Sequence, residues 1–322
     1  MNILTANNQT IREAAEIIKA GGLVAFPTET VYGLGADGLN PIAVAKIFDA
    51  KKRPTFNPLI LHISNKSHLN KFAVYGDKRI DKLIDKFWPG PLTIVLPKTN
   101  IVPDIVTSGN PTVAVRMPDH KVALELIERS GTPIAAPSAN RFGHLSPTDA
   151  KHVAKSLGDK VDIILDGGKT SVGVESTIIE FKNNDFVILR PGGLSKEEIE
   201  EEIGQVKTGI PNPDKPNSPG QLPFHYSPNV PLAFLNENTL RKYSAQKIGV
   251  LFFKNDTINK NIASIKILSR SGDLKEAAAN LFRFLHEFEK EDIDIILAEP
   301  IEEKGLGSAI MDRLKKASAK YK

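Results

Sequence analysis

The sequence predicts an α/β protein: one twisted sheet with flanking helices, then a second, smaller α/β unit. Three observations carry this. From Thr10 to about residue 200, short apolar runs alternate with amphipathic stretches, as strands alternate with packed helices. Seven prolines then crowd between Pro211 and Pro231, where neither a helix nor a central strand can form. Beyond them the alternation resumes. A chain of 322 residues is also long for a single core. The expected division is 1–205, a proline-rich linker 206–231, and 232–322.

The elements follow in order. Thr10 to Ala20 reads as an amphipathic helix, with Thr10 and Glu13 as a capping box and Gly21 as its stop. Leu23 to Phe26 is a short buried strand. Asn40 caps a second helix with Pro41 in its first turn, and Pro54 ends it. Pro58 to Ile63 and Leu92 to Leu96 read as strands. Asp119 to Ser130 reads as a helix stopped by Gly131. Pro133 to Ala136 and Val161 to Leu165 read as strands, with a helix between them starting at Ser146-Pro147. Ser176 to Phe181 and Phe186 to Leu189 are further strands, and Ser195 with Glu198 caps an acidic helix. In the last part, strands at Ile248 to Phe253 and Ile293 to Ala298 alternate with helices at Leu274 to Glu289 and Ser308 to Ala319.

Composition excludes several function classes. Hydrophobic residues are 41% and charged residues 25%, the balance of a water-soluble protein. No apolar run reaches the length of a membrane-spanning helix, and Met1 to Gln9 has no signal-peptide pattern. Cysteine is absent, which removes disulfides, cysteine-bound zinc and thiol catalysis. A cytoplasmic protein with no membrane contact is expected. The net charge of +4 suits anionic ligands such as nucleotides or RNA but does not by itself argue for either.

Three loops, each after an apparent strand, carry candidate chemistry. Pro27-Thr28-Glu29-Thr30-Val31-Tyr32-Gly33-Leu34-Gly35 brings hydroxyls, a carboxylate and glycines together. It suits a polar small molecule, or equally a turn capped by Thr28 or Thr30. Lys51-Lys52-Arg53-Pro54, followed by Asn57-Pro58 and His62, is a basic cluster at a helix end. It suits phosphate, since arginine can grip two phosphate oxygens; the bland reading is cations beside a helix C-terminus. A lone strand histidine such as His62 is more often structural. Pro137-Ser138-Ala139-Asn140 with Ser146-Pro147-Thr148-Asp149 offers small polar groups for close approach to a nucleotide, with Ser146 also a helix cap. There is no phosphate-binding glycine loop. Gly305-Leu306-Gly307-Ser308 is half a dinucleotide pattern and reads as a tight turn.

Taken in order, PTETVYGLG, KKRP, NPLILHI, FWPGPLTIVL, TVAVRMP, PSAN, STIIEF and ILRPG resemble the YrdC-like threonylcarbamoyl-AMP synthase family. HYSP at His225 and GLGSAIMDRL at Gly305 resemble its long two-domain form; the family's linker commonly reads HYAP, so Ser227 departs from it. The resemblance implies a twisted open mixed sheet with flanking helices and a Rossmann-like C-terminal domain. It implies that L-threonine, bicarbonate and ATP, with Mg²⁺, give threonylcarbamoyl-AMP and pyrophosphate. A tRNA-modifying transferase machinery would accept the adenylate and place the group on the adenosine beside the anticodon, with tRNA contact as a further expectation.

The resemblance also assigns residues. Thr30, His62, Arg116, Ala136 and Ser176 would bind threonine. Arg53, Asn57, Thr112, Ser138, Ser146 and Arg190 would bind ATP, with Lys51 as a further phosphate contact. The linker can lie over the site as a lid, bringing Tyr226 and His225 to the nucleotide. A carbamate oxygen attacking the α-phosphorus needs no protein nucleophile, so no acid, base or nucleophile is assigned. The competing readings are a non-catalytic RNA-binding module, the related domain of hydrogenase-maturation carbamoyltransferases, and a generic amino-acid adenylating enzyme.

Overall fold

The computed structural model describes residues 3–209, 216–222, 225–255 and 262–320. Pro211, Pro213 and Pro223 of the expected linker lie outside them. In the first domain the strands are β1 (Ile3–Thr5), β2 (Val24–Phe26), β3 (Gly33–Asp37), β4 (Ile60–His62), β5 (Leu92–Pro97) and β6 (Thr112–Arg116). They continue with β7 (Ile134–Ala135), β8 (Ile163–Asp166), β9 (Thr177–Lys182), β10 (Asp185–Arg190) and β11 (Lys207–Thr208). Among the described residues they form one mixed sheet in the order β1-β8-β2-β3-β7-β4-β6-β5-β9-β10-β11. Parallel pairs such as β4 with β6 and β5 with β9 alternate with antiparallel pairs such as β5 with β6.

Register places the site. His62 pairs with Arg116, and Arg116 with Thr93 across the next strand boundary, so three polar side chains line up on one face. The intervening positions Leu61, Val115 and Ile94 point the other way, into the main core. That core is closed by the helices Pro41–Lys51, Lys78–Phe87 and Lys196–Ile203, through residues such as Ile47, Leu83 and Ile199. The polar row therefore faces a side of the sheet that these helices leave open.

Among the described residues the second domain has four parallel strands: β12 (Leu232–Phe234), β13 (Ile248–Phe252), β14 (Ser264–Ile267) and β15 (Ile295–Ala298), in the order β12-β15-β13-β14. Its helices Leu274–Phe288 and Gly307–Ala319 bury Phe282, Leu285 and Ile310 in one cluster with Val31, Val174 and Tyr226. The two domains thus share an apolar interface, and its first-domain side is the back of the site.

Several local expectations are corrected. The first helix is Asn8–Lys19, and its cap is Asn7; Thr10 stands at the third position, where its hydroxyl accepts from the Asn7 amide at 2.9 Å. A threonine there does the work expected of a glutamate, so the capping box lies three residues earlier. No helix starts at Ser146-Pro147. The helix is Ala150–Leu157, capped by Asp149, while the Ser146 hydroxyl is spent on Glu175. The strand β3 falls inside the glycine-rich loop. A Cβ on Gly35 would lie 2.6 Å from Ile134 and 2.7 Å from Phe26, so glycine there serves close packing rather than a turn. No helix is long and apolar enough to cross a membrane among the described residues.

Candidate active site

His62 and Arg116 of the polar row floor a cavity walled by the three loops and roofed by the linker, while Thr93 sits behind it, bonded to the Ser176 hydroxyl at 2.7 Å. Its lining includes Thr28, Thr30, Arg53, His62, Arg116, Ala136, Ser138, Glu175, Ser176, Arg190, Gly220, His225 and Tyr226. The free space is only about 50 Å³, room for a few waters.

The first loop is built around Thr28. Its hydroxyl accepts from the amides of Thr30 and Val31 at 3.2 Å and donates to the Val31 carbonyl at 2.7 Å. A hydroxyl has one proton, so in the 2.8 Å Thr28–Thr30 contact Thr30 is the donor. The lone pairs of the Thr30 hydroxyl are left for a ligand donor. Beside it, Arg116 donates to Glu29 at 2.6 Å and to the Gly90 carbonyl at 3.2 Å. Both side chains are buried, and the second Glu29 oxygen has no partner among the described residues. Burial, reinforced by the Arg116 charge, pushes the His62 imidazole down to about 3, so it is neutral near pH 7.

Two further cations have no such partner. Arg53 donates from Nε to the Asn57 carbonyl at 3.0 Å and from Nη2 to the Pro58 carbonyl at 2.9 Å. Arg190 donates to the Ser176 carbonyl at 2.8 Å and the Ser176 hydroxyl at 3.2 Å. Neither guanidinium has a carboxylate among its hydrogen-bond partners in the described residues, and burial pulls both below their ordinary value. Buried cations are costly unless an anion completes them. Two of them in one pocket point to a ligand with more than one negative charge.

Glu175 faces the same cavity. Burial alone would raise its carboxyl, but the Arg313 and Arg190 charges overcome that and hold it below the ordinary carboxylate range. The linker closes the space. Gly220 has φ +85°, and a Cβ there would sit 2.7 Å from the Arg190 side chain and 3.1 Å from the Tyr226 hydroxyl oxygen. Burial pushes the Tyr226 phenol up to about 12, so it remains a hydrogen-bond donor.

Most of the residues named from sequence therefore converge: Thr30, His62, Arg116, Ala136 and Ser176 together with Arg53, Ser138, Arg190, His225 and Tyr226. Four do not line the cavity. The fully buried Lys51 ammonium is taken by the Ser138 carbonyl at 2.5 Å and by that of Asn140, which ties the helix end to the third loop. Ser146 is bound to Glu175. Asn57 holds Arg53 through its backbone, and its buried amide has no side-chain partner among the described residues. Thr112 stands at the far end of β6 from Arg116 and borders a separate hollow with Asn110, Glu180 and Asn217. Sequence reasoning gave no role to Glu29, Glu175, Gly220 or Arg313. Glu29 stands inside the first motif and Glu175 directly before Ser176, but nothing in spacing tells a buried ion-pair partner from a solvated carboxylate.

A family model described as telomere recombination, for Sua5, YciO and YrdC proteins, matches residues 16–192. The chain belongs to the Sua5/YciO/YrdC family. A second model, described as the C-terminal domain of threonylcarbamoyl-AMP synthase, matches residues 194–319. The threonylcarbamoyl-AMP synthase of Pyrococcus abyssi is 46% identical over 320 residues, covering 96% of this chain and 94% of that protein. That of Bacillus subtilis is 42% identical over 327 residues, covering 98% and 94%. The crystal structure of P. abyssi Sua5 complexed with L-threonine aligns with a TM-score of 0.89 at 44% identity, covering 99% of this chain and 96% of that one. The mixed sheet and the second parallel sheet are thus those of a two-domain member of the Sua5/YciO/YrdC family.

Proposed function

We propose that the chain is a threonylcarbamoyl-AMP synthase, a nucleotidyltransferase acting on ATP, L-threonine and bicarbonate. The observation that carries this is the pairing of two buried guanidiniums with no carboxylate hydrogen-bonded to them among the described residues, Arg53 and Arg190, with a neutral polar subsite at Thr30, His62 and Ser176. The first pair answers phosphate; the second answers the hydroxyl and carboxylate of a small amino acid, with Arg116 between them. The relatives that match over nearly the whole chain bear that activity in their names. An exposed basic face, which the RNA-binding alternative needs, is a different arrangement from cations enclosed in a pocket.

The reaction divides into two events. The threonine amine takes up the bicarbonate carbon, forming a carbamate with loss of water. A carbamate oxygen then attacks the α-phosphorus; the new P–O bond forms as the α–β anhydride bond breaks and pyrophosphate leaves with its electron pair. The protein's part is alignment and charge neutralisation. Among the described residues no cluster of His, Asp and Glu is arranged to hold a metal ion. Mg²⁺ is proposed as part of the ATP substrate, and no step is routed through protein-bound metal. We propose that the segment carrying Gly220 and Tyr226, which lines the cavity together with Arg53 and Arg190, covers the bound nucleotide. A cover of this kind shields a hydrolysable adenylate from water.

We further propose that the adenylate is passed, in the cytoplasm, to a tRNA-modifying machinery that acts beside the anticodon. The test of the reaction is pyrophosphate release from ATP. Release should require both L-threonine and bicarbonate. Release independent of threonine contradicts the proposal, and dependence on threonine without bicarbonate indicates a simple amino-acid adenylating enzyme.

A further inference from the structure

The site's edge is held from the second domain. Arg313, on the helix Gly307–Ala319, is completely buried. Its Nε donates to Glu175 at 2.8 Å, and its Nη1 donates to the Pro191 carbonyl at 2.8 Å and to Asp312 at 2.6 Å. Its guanidinium lies 5.0 Å from the centre of the Tyr226 ring, within the range of a cation–π contact. Lys316, one turn further on, donates to the Gly220 carbonyl at 2.6 Å and pairs with Asp312 at 2.6 Å. One helix face therefore touches Glu175, Tyr226 and Gly220, all three in the wall of the cavity.

A buried ion pair adds little stability over well-packed apolar groups of the same volume. What it adds here is a fixed position for both partners. Glu175 is locked between Arg313 and the Ser146 hydroxyl. Tyr226 is locked between Arg313 and Phe282, whose ring centre is 5.6 Å away. Gly220, one wall further along, packs on Arg190 with no room for a Cβ.

We propose that Arg313 is a positioning residue of the nucleotide site: through Glu175 and the Tyr226 ring it sets the linker against Arg190. The second domain is then part of the catalytic apparatus, acting on the phosphate side of the pocket rather than on the amino-acid side. Its catalytic consequence rests on the reaction proposed above.

The test compares Arg313→Gln with the parent in the full chain. Hydrogen–deuterium exchange is followed without ligand over residues 216–222 and 225–231, and steady-state kinetics are followed in parallel. Exchange in these segments should quicken by roughly tenfold or more, the scale of one charged hydrogen bond lost from a buried site, while β4, β5 and β6 keep parent rates. KM for ATP should rise by about tenfold, with kcat and KM for threonine moving by less than about threefold. Unchanged linker exchange, or a rise matched throughout the second domain, overturns the proposal. If Arg313→Gln does not fold, Glu175→Gln removes the same ion pair from the other side at equal volume, and unchanged linker exchange there overturns it too. The exchange arm needs no substrate, so it stands even if the reaction assignment fails. A parent that releases no threonine-dependent pyrophosphate overturns that assignment alone.

Discussion

Replacing Arg53 with alanine separates what this cation does for the fold from what it does for the ligand. Its guanidinium donates to two carbonyls, at 3.0 and 2.9 Å, and has no carboxylate partner among the described residues. Removing it strands two acceptors, at about 1–3 kcal/mol each where water cannot reach them. It also relieves a buried unpaired cation, whose desolvation costs several kcal/mol. The two effects oppose, so the unfolding free energy should change by no more than about 2 kcal/mol in either direction. Nothing opposes the loss on the ligand side. Truncating one partner of a buried, hydrogen-bonded charge pair costs about 2–5 kcal/mol of binding, which is at least roughly 30-fold in Kd. Calorimetric titration of a non-hydrolysable ATP analogue and, separately, of L-threonine should show the first weakened by that factor and the second within about threefold. A folded Arg53→Ala variant that binds the analogue as the parent does refutes the phosphate assignment.

The other expectations follow from the same contacts. Glu29→Gln leaves Arg116 buried without its counter-charge and should lower unfolding free energy by about 3–5 kcal/mol in a denaturant melt; a loss below about 1 kcal/mol means the pair is not dry. The His152 and His286 rings stack across the domain interface with centres 3.8 Å apart, and burial, with His286 beside it, pushes His152 down to about 3. Because its folded value lies below the ordinary 6.5, its contribution to stability is complete above that pH and lost as pH falls toward 3. The denaturant midpoint should therefore drop between about pH 7 and 4.5 and drop less in His152→Phe, whose ring takes no proton; equal slopes contradict this. Gly220→Ala places a Cβ against Arg190 and Tyr226 at a positive φ, a strain of about 1–2 kcal/mol. It should increase the share of adenylate lost to water, measured as AMP formed per pyrophosphate, and a parent-like ratio counts against the linker as a cover.

The sequence was most legible where one residue type does one job. Asn40-Pro41 and Ser195 with Glu198 marked their helix starts, because a cap and its bonding partner are local in sequence. Most of the cavity lining was legible as a set of motifs whose order resembles a family, and the chain's membership of that family agrees with it. Strand order was not legible, since an eleven-stranded mixed sheet joins segments far apart in the chain. The partners of charged groups were hidden for the same reason. Lys51 looked like a phosphate contact because its neighbours in sequence are cations, yet its ammonium is taken by carbonyls about ninety residues away. Ser146 looked like a helix cap because serine before proline usually is one. The buried Glu175 competes for its hydroxyl and wins. Arg313 stood inside the GLGSAIMDRL stretch with no role of its own, and only the packing of the two domains makes it a neighbour of Tyr226.

The central claim is that this pocket joins an amino acid to an adenylate through a carbon from bicarbonate. The most direct measurement is the mass of the nucleotide product formed from ATP and L-threonine with carbon-13 bicarbonate as the carbon source. The expected product is a threonylcarbamoyl-AMP species that carries the heavy carbon in its carbamoyl group. A product that contains threonine and AMP but not the label, or AMP alone with no threonine adduct in freshly quenched samples, contradicts it.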